Sequence, residues 1–287
     1  MANAIIMAAG MSARFAPLSY ELPKALLTVK GEVLIERQIR QLHEVGITDI
    51  TIVVGYMSEK FEYLKAKFGV GIVFNPDYNR YNNSATLMCV IDKLGDTYIC
   101  SSDNYFVSNV FEANVDAAYY AATYYPGKTN EWGIVTDEKG LIVGVDHTPV
   151  DRWCMMGHVY FSKEFSDKFR PILSAEFADE DVKNGYWENV YERHLAELPM
   201  YIRKYDSSTI REFDSLEDLR AFDAKYVNDT GSAILKNIAE ELTCEEQDIT
   251  QVVAIKNGLS ALTFSFSCRG RKYLYDHTLG NFKEMES

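Results

Sequence analysis

The stretch Asn3-Ala4-Ile5-Ile6-Met7-Ala8-Ala9-Gly10-Met11-Ser12-Ala13-Arg14-Phe15-Ala16-Pro17 decides how the rest of the chain reads. Asn3 to Ala8 is an apolar run with no basic flank, too short for a signal peptide or a membrane span, and it reads as a buried strand. The small residues that follow let backbone N–H groups approach an anion. Arg14, together with Lys24 in Leu22-Pro23-Lys24-Ala25-Leu26, adds charge-assisted contacts. This describes a phosphate cradle. It is not a P-loop, because Gly-Lys-Ser/Thr is absent, and not a dinucleotide fingerprint, because the second and third glycines are missing. The competing reading is a surface turn carrying two solvated cations.

Outward from this loop, the first hundred residues alternate between two periods. Ile50 to Val54, Val70 to Phe74 and Thr97 to Cys100 read as strands. Val33 to Glu44, Ser58 to Phe68 and Ser84 to Leu94 read as helices, the last capped by Asn82 or Asn83. Such alternation predicts right-handed βαβ units, that is, an α/β fold of Rossmann type: a mostly parallel sheet with helices on both faces. Ligands then sit beyond the carboxyl ends of the strands. From about residue 115 an antiparallel elaboration is expected. Its strands are Ala117–Tyr125, Trp132–Thr136, Leu141–Asp146 and Met155–Phe161, and helices follow near 163–173, 187–196 and 214–226. Asn228-Asp229-Thr230-Gly231 breaks the pattern and sets a boundary between a catalytic domain (1–228) and a small α+β appendage (229–287).

Charge and composition narrow the function. The chain has 287 residues with 29 Lys+Arg against 42 Asp+Glu, a net of −13. That excess of acid repels polyphosphate backbones and no basic patch offsets it, so a nucleic acid is not the expected partner. Residues 1–30 nevertheless hold Arg14, Lys24 and Lys30 against Glu21 alone, so the loop is a cationic mouth on an acidic protein. Five widely spread cysteines with no Cys-x-x-Cys pair argue against disulfides and zinc clusters. They fit a reducing cytoplasm, and no stretch suggests membrane insertion.

A second feature is Ser101-Ser102-Asp103-Asn104-Tyr105, directly after a buried strand. An Asp at that place, near a phosphate loop, suits Mg²⁺, which takes one or two carboxylates plus phosphate oxygens. Glu212-Phe213-Asp214 puts two carboxylates on one side of an extended segment. Singly, each reads first as a loop or helix-capping residue, for instance Asp214 capping the helix from Leu216 to Phe222.

The combination of Ala8-Ala9-Gly10, Arg14, Pro17 and Pro23-Lys24 with Ser102-Asp103-Asn104 and Glu212-x-Asp214 resembles the nucleotidyltransferases that attach a nucleoside monophosphate to a phosphorylated small molecule. Above all it resembles the bacterial CTP:phosphocholine cytidylyltransferases. The resemblance covers about residues 3–225 and extends to Val54-Gly55-Tyr56, Tyr81-Asn82-Asn83, Thr129-Asn130-Glu131-Trp132 and Tyr186-Trp187-Glu188-Asn189. Ser12 departs from it, since the family usually has Gly there.

The resemblance implies that Ala8, Ala9, Gly10, Met11, Ser12 and Ala13 surround the CTP triphosphate, that Arg14 grips its outer phosphates, and that Lys24 neutralises the reacting phosphoryl groups. Tyr81, Asn82, Asn83, Ser84 and Ser102 are implied near the nucleotide, and Asp103, Asp214 and Glu212 as the Mg²⁺ site, with Lys24, Arg14 and Asp103 catalytic. Asn104, Glu131, Trp132, Tyr186, Trp187 and Glu188 are placed around the acceptor. A quaternary ammonium cannot donate a hydrogen bond, so aromatic faces and diffuse negative charge are what recognise it, and these segments supply both. A sugar-1-phosphate or aminoalkylphosphonate nucleotidyltransferase is the alternative within the class, and a non-catalytic nucleotide-binding regulator the alternative outside it.

Residues 229–287 read as an amphipathic helix (Ala233, Ile234, Ile238, Ala239, Leu242) and strands at 249–255, 262–268 and 272–275. That order, with Asn257-Gly258-Leu259-Ser260 between strands, resembles the opening of a choline/ethanolamine kinase amino-terminal lobe. It stops before any catalytic loop, and Asp276 and His277 stand where a basic residue is expected, so no kinase activity is expected. Packing and homodimerisation are roles left open for the segment.

Overall fold

In the computed structural model, residues 2–257 and 261–285 are described. The Gly258-Leu259-Ser260 part of the expected inter-strand loop lies outside them. The chain runs β1 (Asn3–Ala8), α1 (Leu18–Glu21), β2 (Thr28–Val29), β3 (Glu32–Val33), α2 (Leu34–Glu44), β4 (Ile50–Val54), α3 (Tyr63–Phe68), β5 (Gly71–Phe74), α4 (Asn83–Met88), β6 (Thr97–Ser101) and β7 (Asn104–Phe106). Then come β8 (Tyr119–Lys128), β9 (Gly133–Thr136), β10 (Ile142–Asp146), β11 (Val150–Phe161), α5 (Lys163–Glu176), α6 (Glu180–Asn184), α7 (Trp187–Arg193), β12 (Tyr201–Tyr205) and β13 (Ile210–Glu212). Helices α8 (Leu216–Phe222), α9 (Lys225–Asn228) and α10 (Ala233–Leu242) precede strands β14 (Ile249–Asn257), β15 (Ala261–Cys268), β16 (Arg271–Asp276) and β17 (Asn281–Glu284).

Two compact units result. The first comprises Met1–Gly10 and Leu34–Glu212; the second comprises Met11–Val33 and Phe213–Ser287. The compact units therefore do not follow a single cut near 228, because the segment after Gly10 folds with the carboxyl-terminal residues.

The first unit is built on a nine-stranded sheet in the order β10-β9-β11-β6-β1-β4-β5, with β8 pairing to β11 and β12 to β8. Strand β1 lies between β4 and β6, parallel to both, and β4 is buried on both faces, as a parallel strand covered by helices must be. Strands β8, β9, β10 and β11 are joined antiparallel, the expected elaboration. The helix expected over 84–94 is shorter: α4 ends at Met88, and only a 3₁₀ turn at Ile91–Lys93 follows. The helix expected over 214–226 divides at Asp223, whose carboxylate accepts from the backbone N–H groups of Lys30 and Lys225, so the backbone there is extended. Strands β7, β12, β13 and β17 were not anticipated; all are short and give little periodic signal.

Under the sheet, Phe161, Phe165 and Phe169 gather against Trp187, with Phe161 and Phe169 edge-on to it at 5.2 and 5.9 Å and Tyr120 stacked on it at 6.0 Å. Trp187 is fully buried. This corrects the expectation that it contacts the acceptor: at the first position of α7 its ring turns into the core, while the preceding Tyr186 remains exposed.

The second unit holds the β2–β3 hairpin, helices α1 and α8–α10, and a four-stranded antiparallel sheet in the order β14-β15-β16-β17. Among the described residues no helix is long and apolar enough to cross a membrane.

Gly157 sits in the bulged part of β11 at φ +75, and a Cβ there would overlap the Asn104 carboxamide. Gly157→Ala should therefore combine left-handed strain with a steric clash and cost about 2 kcal/mol or more. Urea unfolding with an unchanged m-value is the measurement that checks this.

Candidate active site

The carboxyl end of β1 is fastened before the loop begins. The Ala9 carbonyl accepts from the backbone N–H of Tyr56 at 3.1 Å. That approach requires Gly55, because a Cβ there would lie 2.7 Å from the Ala9 oxygen and overlap Tyr78. Ala8 and Ala9 are buried, whereas Gly10 is exposed and a Cβ there would meet nothing within 4 Å. On the neighbouring strand, the Ser102 N–H donates to the Met7 carbonyl at 3.3 Å, and Ser102 and Asp103 form the turn from β6 to β7.

Helix α2 holds that turn. The fully buried Gln38 donates through Nε2 to the carbonyls of Ser101 and Asn104, both at 2.9 Å, which clamps the residues on either side of Ser102-Asp103. Gln41 donates to the Phe106 carbonyl at 3.0 Å. Arg37 donates to the carbonyls of Phe106 and Val107, both at 2.8 Å, while its guanidinium lies over the Tyr105 ring. Sequence reading missed these three residues. The available signal was a polar residue on the apolar stripe of an amphipathic helix, where Gln38 follows Leu34 and Ile35 at helical spacing. Asn104 is fully buried against Gly157, and neither atom of its carboxamide has a hydrogen-bond partner among the described residues.

The same unit brings aromatic and acidic side chains together. Trp132 and Tyr186 meet edge to face at 5.6 Å. The Tyr120 hydroxyl donates to Glu188 at 3.0 Å. Burial, then Glu188, Glu212 and Glu131, push the Tyr120 hydroxyl far above its ordinary value, so three carboxylates act on this one ring. Burial also raises the Tyr125 hydroxyl, with Glu131 and Glu212 adding to it. Burial raises the Glu188 carboxyl as well, against the lowering effect of its hydrogen bonds from Asn83 and Tyr120. Tyr120 and Tyr125, which the sequence reading did not single out, lie on β8, a strand whose register becomes apparent only through pairing.

Tyr81, Asn82 and Asn83 were expected at the nucleotide, yet their polar atoms are used to dock the segment 180–188. The Tyr81 hydroxyl is 3.3 Å from Glu180, and the Asn82 N–H donates to the Lys183 carbonyl at 3.0 Å. Asn83 accepts from the Trp187 N–H at 2.8 Å and donates to Glu188 at 3.1 Å. Its carboxamide is thereby committed at both ends and orients Glu188. Asn82 caps α4, as one of the two expected residues, by accepting from the Asn83 N–H. Ser84 is fully buried in the first turn of α4.

In the second unit, Lys24 is 6% exposed, with its ammonium over the Phe15 ring at 5.2 Å. It lies 3.8 Å from Asp214, which also receives Arg14 at 3.1 and 3.4 Å through two nitrogens. Asp214 thus draws a buried ammonium and an exposed guanidinium together, a pair of cations suited to phosphate oxygens. Ser12 adopts the left-handed conformation (φ 48, ψ 45). That is why glycine suits the position, and serine there carries about 1–2 kcal/mol of strain. Met11, Ser12 and Ala13 are partly exposed.

The expected metal ligands Asp103 and Glu212 belong to the first unit and Asp214 to the second. Among the described residues no group of three or more His, Cys, Asp or Glu side chains converges on a metal position. A hard ion held by one or two carboxylates and completed by phosphate oxygens does not need such a group, and the partly buried Asp103 carboxylate, clamped in its turn by Gln38, offers the right donor chemistry.

Comparison with known proteins bears on this geometry. Residues 4–156 match the MobA-like NTP transferase domain. The choline-phosphate cytidylyltransferase of Streptococcus pneumoniae is 33% identical over 227 residues, spanning 79% of this chain and 99% of that protein. The 2-aminoethylphosphonate cytidylyltransferase of Lancefieldella rimae is 33% identical over 229 residues, 78% of this chain and 93% of that protein. The solved structure of CTP:phosphocholine cytidylyltransferase from Streptococcus pneumoniae matches with a TM-score of 0.74 at 34% identity, covering 77% of this chain and 96% of that one.

Gln38→Leu keeps the volume of the side chain but leaves the Ser101 and Asn104 carbonyls unpaired. It should cost about 1–3 kcal/mol and speed amide exchange at 101–104. Denaturant titration and exchange mass spectrometry would show the two effects together.

Proposed function

This chain belongs to the MobA-like NTP transferase family and is a nucleotidyltransferase, and from that premise we propose that it transfers CMP from CTP to phosphocholine, forming CDP-choline and pyrophosphate. The observation that carries the choice of acceptor is the edge-to-face pair of Trp132 and the exposed Tyr186, with Glu188 in the first turn of the helix that Tyr186 precedes. Aromatic faces and carboxylates attract a trimethylammonium group without needing a donor from it. The choline-phosphate and 2-aminoethylphosphonate enzymes match this chain at equal identity. The aromatic corner of Trp132 and Tyr186 favours the quaternary headgroup over a primary ammonium, which would seek hydrogen-bond acceptors instead.

In the proposed reaction a phosphate oxygen of phosphocholine attacks the α-phosphorus of CTP, the new P–O bond forms in line, and the bond to the leaving pyrophosphate breaks. The attacking monoester is already anionic, so catalysis needs position and charge neutralisation more than a base. Lys24 and Arg14 supply the positive charge, and the backbone amides from Gly10 onward take phosphate oxygens. Mg²⁺, held by Asp103 and Asp214 with Glu212 as a further carboxylate, would neutralise the triphosphate. The reading places the reaction in the cytoplasm, and the carboxyl-terminal segment contributes no kinase chemistry to it.

Pyrophosphate release with CTP and a panel of phosphocholine, 2-aminoethylphosphonate and sugar 1-phosphates tests the proposal, and absence of turnover with phosphocholine overturns it. Lys24→Ala should abolish turnover, whereas Trp132→Ala should raise the KM for phosphocholine by about ten-fold, the value of one cation–π contact, and leave that for CTP unchanged.

A pH profile adds an independent check. Because the Glu188 carboxyl titrates above the ordinary 4.5, its attraction for the headgroup is present at higher pH and is lost as pH falls through that raised value. The KM for phosphocholine should therefore climb on acidification sooner than an ordinary glutamate would allow. Glu188→Gln should remove that part of the profile, leaving the titration of the substrate phosphate.

A further inference from the structure

The carboxyl-terminal helix and sheet have no part in the chemistry proposed above, and the pneumococcal enzyme is matched over 99% of its length by 79% of this chain. Within the second unit, however, this addition is bonded to the segment that carries the two phosphate-binding cations. Helix α1 ends on Tyr20 and Glu21, less than one helical turn ahead of the 3₁₀ turn that opens at Lys24. The Glu21 carboxylate accepts from the first two backbone N–H groups of α10, Ala233 at 2.8 Å and Ile234 at 3.3 Å. There it meets the positive end of the helix dipole as well as two donors that the helix itself cannot satisfy. Ser232 caps the same helix end by accepting from the Leu235 N–H. Tyr20 is 7% exposed, and its hydroxyl donates to the Thr263 carbonyl of β15 at 3.1 Å. Its ring packs against Phe264 and His277. Further along, the buried part of Arg220 donates to the carbonyls of Ile249 and Glu246, both at 2.7 Å, which fixes the start of β14 to α8.

We infer that the carboxyl-terminal helix and sheet are the seat of the phosphate-binding segment, with Glu21 and Tyr20 the positioning residues through which that seat sets nucleotide affinity. Neither residue touches the substrate in this scheme. They act on where Lys24 and Arg14 stand, and a strained loop, with Ser12 left-handed, needs such outside support to keep one conformation. The inference rests on the proposed function in taking CTP as the nucleotide and Arg14 and Lys24 as its phosphate ligands.

The test uses the full chain with Glu21→Ala, Glu21→Gln and Tyr20→Phe. Glu21→Ala should raise the KM for CTP about ten-fold, the size expected for losing a hydrogen-bonded charge. The KM for phosphocholine should stay within about two-fold, and kcat at saturating CTP should fall by much less than the KM for CTP rises, because bound CTP draws Lys24 and Arg14 back into place. Glu21→Gln keeps a carbonyl acceptor for the α10 N–H groups and should recover most of the affinity. Tyr20→Phe, which deletes one hydroxyl from a packed ring, should give an intermediate rise and serves if Glu21→Ala fails to fold. Hydrogen exchange should quicken at 11–33 in the variants and remain unchanged in β4. A fall in melting temperature with the CTP KM unmoved overturns the inference, because it marks Glu21 and Tyr20 as packing residues only. If the wild-type protein shows no turnover with CTP, the proposed function fails and this inference is judged by inorganic pyrophosphate binding. Weaker binding in Glu21→Ala supports it, and equal binding overturns it.

Discussion

Everything chemical in the first unit depends on β1 being the strand that β4 and β6 both flank in parallel. Met7 pairs with Val53 on one side and Ser101 on the other, so the three strands end together and their loops leave from one edge. Gly10, Gly55 and Ser102-Asp103 are neighbours for that reason and for no local one. The arrangement is held where the strands stop: the Ala9 carbonyl is taken by Tyr56, the Met7 carbonyl by Ser102, and the Ser101 and Asn104 carbonyls by Gln38. Each of these bonds satisfies a backbone group that the sheet no longer pairs. Together they turn the frayed end of a sheet into a rigid rim.

That rim has a cost, which is visible in the buried polar groups. Asn104 is fully enclosed with its carboxamide unpartnered among the described residues, and Gly157 gives up a side chain to make room for it. The carboxylate of Glu188 has the same character. Burial opposes its charge, while Asn83 and Tyr120 donate to it and hold it in place.

How much of this could be read from the sequence follows from how local each signal is. The parallel half of the sheet was legible because buried β-branched runs alternating with helical periods leave few other folds. The cap at Asn82 and the cations Arg14 and Lys24 were legible because a residue type at a loop or helix start carries its own reason. Trp187 was misread because Tyr186, Trp187 and Glu188 are consecutive, and only the start of α7 between Tyr186 and Trp187 decides which ring faces solvent. The partners of Tyr81-Asn82-Asn83 were not legible because they lie a hundred residues away on α6 and α7, and no spacing rule reaches that far. Gln38 and Gln41 left a usable trace, polar residues on an otherwise apolar stripe, whose meaning required the carbonyls they serve.

The division of the chain into units carries the last step. Residues 11–33 leave the strand that defines the fold and pack instead with the carboxyl-terminal residues, through Tyr20, Glu21, the Lys30 N–H on Asp223 and the Thr28 carbonyl on Tyr226. A segment bearing a buried ammonium beside an aromatic ring cannot rely on solvent to stabilise that charge; Asp214 does so, and it belongs to the same unit.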